Sequence, residues 1–211
     1  GHLISLLNTD YVIYTHNEVV EAIEAAGLVE EGVEFSYHFD DHKMVIVFDV
    51  AAMGESMIEI RLENGTAGTV AFGFSAYLTS NNPFTDWIVP VRWAVNRRQR
   101  HLDFKSKGAF STIIDELKST LGSAALEAAI KAAFDKATFT FSSTEFDDLV
   151  STGGRELEIL ATIFGTCNCL NANQLIDKVS EFTSIRGFKT ASIRIINAIV
   201  KAATPVEPAT P

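Results

Sequence analysis

The sequence is poor in cysteine, proline and positive charge. Its two cysteines, Cys167 and Cys169, are separated by one residue in a chain of 211. A disulfide between such close neighbours is strained, and a zinc centre needs two further ligands. Both are therefore expected to be reduced, core-type thiols on a helix. Three of the five prolines (Pro205, Pro208 and Pro211) lie in the last eight residues. That composition predicts a disordered tail over 204–211.

Long hydrophobic runs are also missing. No segment approaches the roughly 18–20 uninterrupted apolar residues that span a bilayer. The stretch Met44–Met53 is broken by Asp49, and its β-branched content reads as a buried strand. No membrane partner is expected. No secretory h-region opens the chain, which predicts a cytoplasmic protein. Gly1-His2 reads as a tag remnant and carries no functional argument.

Familiar catalytic patterns are absent. There is no G-x-x-x-x-G-K-[ST] around Gly65, Gly68 and Gly73, which lie in a hairpin and not at a strand-to-helix turn. Gly68 and Gly73 are expected at a bulge or a close backbone approach. No G-x-S-x-G supports a Ser/His/Asp triad. The 27 acidic residues offer no catalytic pair without geometry. No cofactor is expected, and the balance is against an enzyme.

What is present is enough for a real core: 47% of residues are hydrophobic and only 21% are charged. The first half reads as strands. Tyr11–Thr15 is β-prone, and a helix follows it with Asn17 as N-cap and Gly27 as its stop. Val33, Phe35, Tyr37 and Phe39 alternate with polar residues, and Lys43–Val50 reads as a central strand. Asn64-Gly65 is the dipeptide that a type I′ turn favours, so a hairpin is expected there. Val89–Val95 is again β-like, with Trp93 inward and Arg92 outward.

From Gly108 onward the periodicity is helical. Ile113, Ile114, Leu117 and Leu121 share a face, and Gly122 ends that helix. Ser123 is placed to cap the next one. Further helices are expected over 143–151 and 155–182, the second interrupted near Gly165. A last helix carries Ile193, Ile196 and Val200 on its core face. Strands first and helices second predict an α+β fold, an antiparallel sheet packed with helices. One domain is expected over 1–203, sheet-rich over 10–105 and helical over 109–203. Gly108 and Gly153–Gly154 are its possible seams.

The net charge is −10, and it is unevenly spread. Arg92, Arg97, Arg98, Arg100, Lys105 and Lys107 stand against one acid, Asp103, so this segment is +5 and the remainder −15. Crowded cations repel one another unless an anion lies close. That anion is either internal, a carboxylate of this chain, or external. The external choices are a phosphate backbone or an acidic protein surface. With His101, the six cations form the candidate anion-binding set. Phe84 and Trp87 are candidates for stacking on bases. Arg186, Lys189 and Arg194, in or near the last helix, are expected to be exposed, either extending the basic surface or pairing with acids of another subunit. A weaker cluster, His38, Asp40 and His42, holds metal-capable ligand types, with His16 and Asp41 nearby.

The segment TDWIVPVRWAVNRRQRHLDFKSKGAFSTIIDELKSTLG resembles the middle of an uncharacterised phage/plasmid-like protein family, through Pro90, Val91, Arg92, Asn96, Arg100 and His101. FGTCNCLNANQLIDKVSEF resembles a later helix of the same family, through Gly165, Thr166, Asn171 and Ala172. Where that family usually has a cysteine–asparagine pair, this chain has Val95–Asn96. The resemblance implies a mobile-element origin in a bacterial or archaeal host. The expected function is a non-enzymatic, oligomeric binding protein that contacts single-stranded nucleic acid. The alternatives are a structural protein that self-associates through basic–acidic complementarity, and a metal-dependent enzyme.

Overall fold

The computed structural model describes residues 14–29, 35–39, 42–66, 70–81, 87–99, 107–139, 162, 170–181 and 189–205. It is α+β, as the segregation of strands and helices predicts. A six-stranded sheet is built from β1 (Phe35–Phe39), β2 (Lys43–Met53), β3 (Ser56–Gly65), β4 (Phe72–Ser80), β5 (Ile88–Pro90) and β6 (Asn96–Gln99). The first five follow one another in sequence order, and β6 pairs with β4. The helices are α1 (His16–Ala25), α2 (Lys107–Leu121), α3 (Ala124–Lys136), α4 (Ala172–Glu181) and α5 (Lys189–Ala202). A two-stranded ribbon pairs β7 (Thr138–Phe139) with β8 (Leu170–Asn171).

The helix termini follow local chemistry. Thr15, not Asn17, caps α1. Its hydroxyl accepts from the Glu18 N–H, and the Glu18 carboxylate accepts from the Thr15 N–H at 2.9 Å. This capping box satisfies two otherwise orphaned donors, and it leaves Tyr14 and Thr15 outside any strand. Gly27, at φ 69°, follows the α1 C-terminus as expected. Ser123 caps α3 by accepting from the Ala125 N–H.

The strands expected on either side of Asn64-Gly65 are neighbours in the sheet, as β3 and β4, but the turn does not fall on that dipeptide, because β3 runs through both residues. A separate tight turn at Gly54-Glu55 joins β2 to β3, with Gly54 at φ 61°. Asn64 is fully buried, and its side-chain amide donates to the Tyr14 carbonyl at 2.9 Å. A side chain spent on a tertiary bond is no longer available for turn chemistry.

The chain divides into two compact units. The first comprises residues 1–50, 59–76 and 95–126. Here α1 and α2 pack together, and Lys118 of α2 donates to the Ala26 carbonyl at the end of α1. Tyr14 stacks on Phe110 at 4.3 Å between centroids, and both rings meet Phe72. Ile46, Phe48, Ile60, Leu62 and Phe74 complete this core.

The second unit comprises residues 51–58, 77–94 and 127–211. Within it α4 packs on α5, and α5 on β5, around Trp87, Phe134, Leu175 and Ile176. The buried face of α5 is Ser192, Ile195, Ile196, Ile199 and Val200, so Ile193 falls to its flank. The division does not follow the expected seam at Gly108, because α2 packs with the strands and helix that precede it. Gly153–Gly154, both cysteines, and the helix expected over 143–151 lie outside the described residues. So do most of 155–169 and the tail beyond Pro205.

Candidate nucleic-acid interface

The basic segment begins as a strand, turns, and resumes as a strand. β4 pairs with β5 through Tyr77–Thr79 and with β6 through Phe72–Ser75. The two short strands thus follow one another along β4. The Arg92–Ala94 turn interrupts them and is closed by an Ala94 N–H to Val91 carbonyl bond of 3.0 Å. Val89–Val95 is therefore not one strand, and Asn96–Gln99 forms a short strand of its own. Arg92 is exposed in the turn, as expected, and Trp93 is half-buried.

Strand geometry sends Arg97 and Arg98 to opposite faces. Arg97 lies across from Phe74, on the side covered by α2. Its Nε and a terminal nitrogen both donate to Glu116 of α2, the second at 2.7 Å. This fork-to-fork pair is the strong form of an arginine–carboxylate contact. It raises the Arg97 pKa, chiefly through the hydrogen bond, and the same bond holds the Glu116 carboxyl below its ordinary value. The pair stays wet, with side chains 56% and 35% exposed.

Arg98 lies across from Gly73 and turns to the other face. Its Nε donates to Ser75 Oγ at 3.1 Å, and a terminal nitrogen donates to Glu63. Ser75 Oγ in turn donates to Asn96 Oδ1. Glu63 also receives Lys43 at 3.1 Å, and its side chain is only 11% exposed. Arg98 is thus a counter-ion for a nearly buried carboxylate, and it belongs to the structure before it belongs to any ligand.

Among the described residues, Glu63 and Glu116 serve as internal anions for this segment. Sequence reasoning named the possibility without finding the residues. Glu63 carried a faint signal, because Glu59, Arg61 and Glu63 alternate along one face of β3. A strand face of mixed sign calls for cross-strand partners. Glu116 carried none, since one helix acid among many shows no partner until α2 is docked.

Arg100, His101 and Lys105 lie outside the described residues, as do Phe84 and Asp40. Lys107 opens α2. Trp87 does not serve as a stacking platform: it precedes β5 and is 1% exposed, in the core of the second unit, where Val89 of β5 is also buried. In the weak metal cluster, His38 is exposed on β1 and His42 is half-buried just before β2. Among the described residues, no group of three or more His, Cys, Asp or Glu side chains is placed to hold a metal ion. Arg194 of α5 is exposed.

A cavity of about 260 Å³ between β6 and α2 is lined by Arg97, Arg98, Gln99 and Ile113. A second, of about 360 Å³, is lined by Tyr14, Glu18, Glu21, Ala22 and Phe110, and its carboxylates make it unsuited to anions. Burial, then the charge of Glu18, pushes the Tyr14 phenol above its ordinary pKa. No protein-family model matches this chain, and no curated protein or solved structure does. Among the described residues, no helix is long and apolar enough to cross a membrane.

Proposed function

We propose that this is a non-enzymatic binding protein of a phage or plasmid, acting as an oligomer in the host cytoplasm. It contacts the phosphate backbone of single-stranded nucleic acid through β6 and the segment leading into α2. One observation carries the reading: β6 presents Arg97 with a 56% exposed guanidinium-bearing side chain beside an open cleft. Arg92, exposed in a turn of the second unit, belongs to the proposed cation set by sequence. Arg100, His101, Lys105 and Lys107 follow in the sequence and complete the set. Arg98 is assigned to Glu63 and contributes position, not net charge.

Backbone contacts release counterions, so affinity falls steeply with salt. Fluorescence anisotropy of a labelled oligothymidylate tests the reading directly. Binding is expected at low salt, and Arg92→Gln and Arg97→Gln each flatten the salt dependence by about one unit of slope. Absence of binding at low ionic strength overturns the assignment.

A second reading is supported by the partners that Arg97 and Arg98 already have. Both engage carboxylates, so an acidic surface of another copy is a chemically suitable ligand for the remaining cations. It predicts assemblies that dissociate at high salt and show no oligonucleotide affinity, which light scattering across a salt series resolves.

A further inference from the structure

We infer that Glu116 is a built-in competitor for the ligand's phosphate: its carboxylate occupies the Arg97 fork and sets the affinity of the cleft between β6 and α2. The inference rests on the nucleic-acid reading above and deepens it. A guanidinium offers two parallel N–H donors that match carboxylate and phosphate oxygens alike. In this structure both donors point into the two oxygens of Glu116. The geometry a phosphate would use is therefore already formed, with a carboxylate standing in for it.

Three features make this pair exchangeable and not merely structural. It is wet on both sides, at 56% and 35% exposure, where an ion pair is weak and readily screened. Its arginine borders a cavity of about 260 Å³, so an incoming group has space beside the fork. The neighbouring pair behaves differently: Glu63 is 11% exposed and bridges Arg98 and Lys43, so it has little reason to exchange. One arginine of β6 is thus fixed and the other is held ready. The ligand chemistry is a phosphate oxyanion, whether a backbone phosphodiester or a free phosphate.

The test measures anisotropy of a labelled oligothymidylate at low salt with wild type, Glu116→Gln, Arg97→Gln and the double variant. Inorganic phosphate and a mononucleotide serve as competitors. Glu116→Gln removes the competing charge while keeping the shape, and is expected to tighten binding about fivefold. Arg97→Gln is expected to weaken binding and to abolish the gain in the double variant. Glu116→Asp, which keeps the charge but retracts it, tightens less and serves if the Gln variant does not fold. Competition by inorganic phosphate at the same site, tightened equally by Glu116→Gln, supports the inference and makes free phosphate the ligand. Oligonucleotide binding that Glu116→Gln leaves unchanged overturns the inference and leaves the functional reading standing. No binding by wild type or by Glu116→Gln overturns the functional reading itself.

Discussion

At Gly73 the backbones of β4 and β6 come closer than any side chain permits. A Cβ there would stand 1.9 Å from the Arg97 carbonyl oxygen and 2.7 Å from the Arg98 Cα, and φ is 149°. Both obstacles are backbone, so neither yields without opening the ladder. Gly73→Ala is expected to cost about 3 kcal/mol, read as a lower urea midpoint. The same variant should move Arg97 away from Glu116, because β6 has to retreat. The expectation that Gly73 marks a close approach is met here, and β6 is the element responsible. Asn64 teaches the opposite lesson. Its pairing with Gly65 spells a turn, yet it is fully buried and bound to the Tyr14 carbonyl.

At the scale of elements, the β2–β3 turn is held from outside. Glu55 donates its N–H to Asp177 Oδ1 of α4 at 2.9 Å, and the Asp177 carboxylate lies 2.6 Å from where a Gly54 Cβ would be. All three residues belong to the same unit. Asp177→Ala is expected to cost about 1 kcal/mol through the lost acceptor. Faster hydrogen exchange of the Glu55 amide should accompany it, and Asp177→Asn should lose less because its amide oxygen still accepts. Helices were the legible elements: α2 and α3 carry their apolar spacing and their stop and cap residues in plain view. Short strands were less so. NRRQ has no apolar alternation, and it becomes β6 because β4 offers it an unpaired edge.

At the scale of the whole molecule, the charge layout gains a physical explanation. The −15 remainder supplies the anions for the +5 segment at two described points, Glu63 and Glu116. This has a consequence for acid stability. Arg97 lowers the Glu116 pKa from its ordinary 4.5, so the pair's contribution is complete above that value. It is lost as the pH falls through the lower folded-state value, where the carboxylate takes up a proton. The stability difference between wild type and Glu116→Gln should therefore be constant near neutrality and close below pH 4.5. Urea midpoints measured along a pH series check this, and added salt should narrow the gap throughout because the pair is exposed.

Composition and periodicity by themselves determined the fold class, the sheet-then-helix order, the interior place of β2 in the sheet, and the boundaries at Gly27, Gly122 and Ser123. These follow from local rules: side chains alternate along strands, recur along helices, and cap the ends they adjoin. Only the tertiary structure decided which face each arginine of β6 takes and which carboxylate each one meets. It also decided that Trp87 is core, and that Asn64 bonds across the unit instead of turning the chain. Those outcomes depend on residues brought together from distant parts of the sequence. Glu63 precedes Arg98 by 35 positions and Glu116 follows Arg97 by 19, separations at which no local pattern fixes a partner.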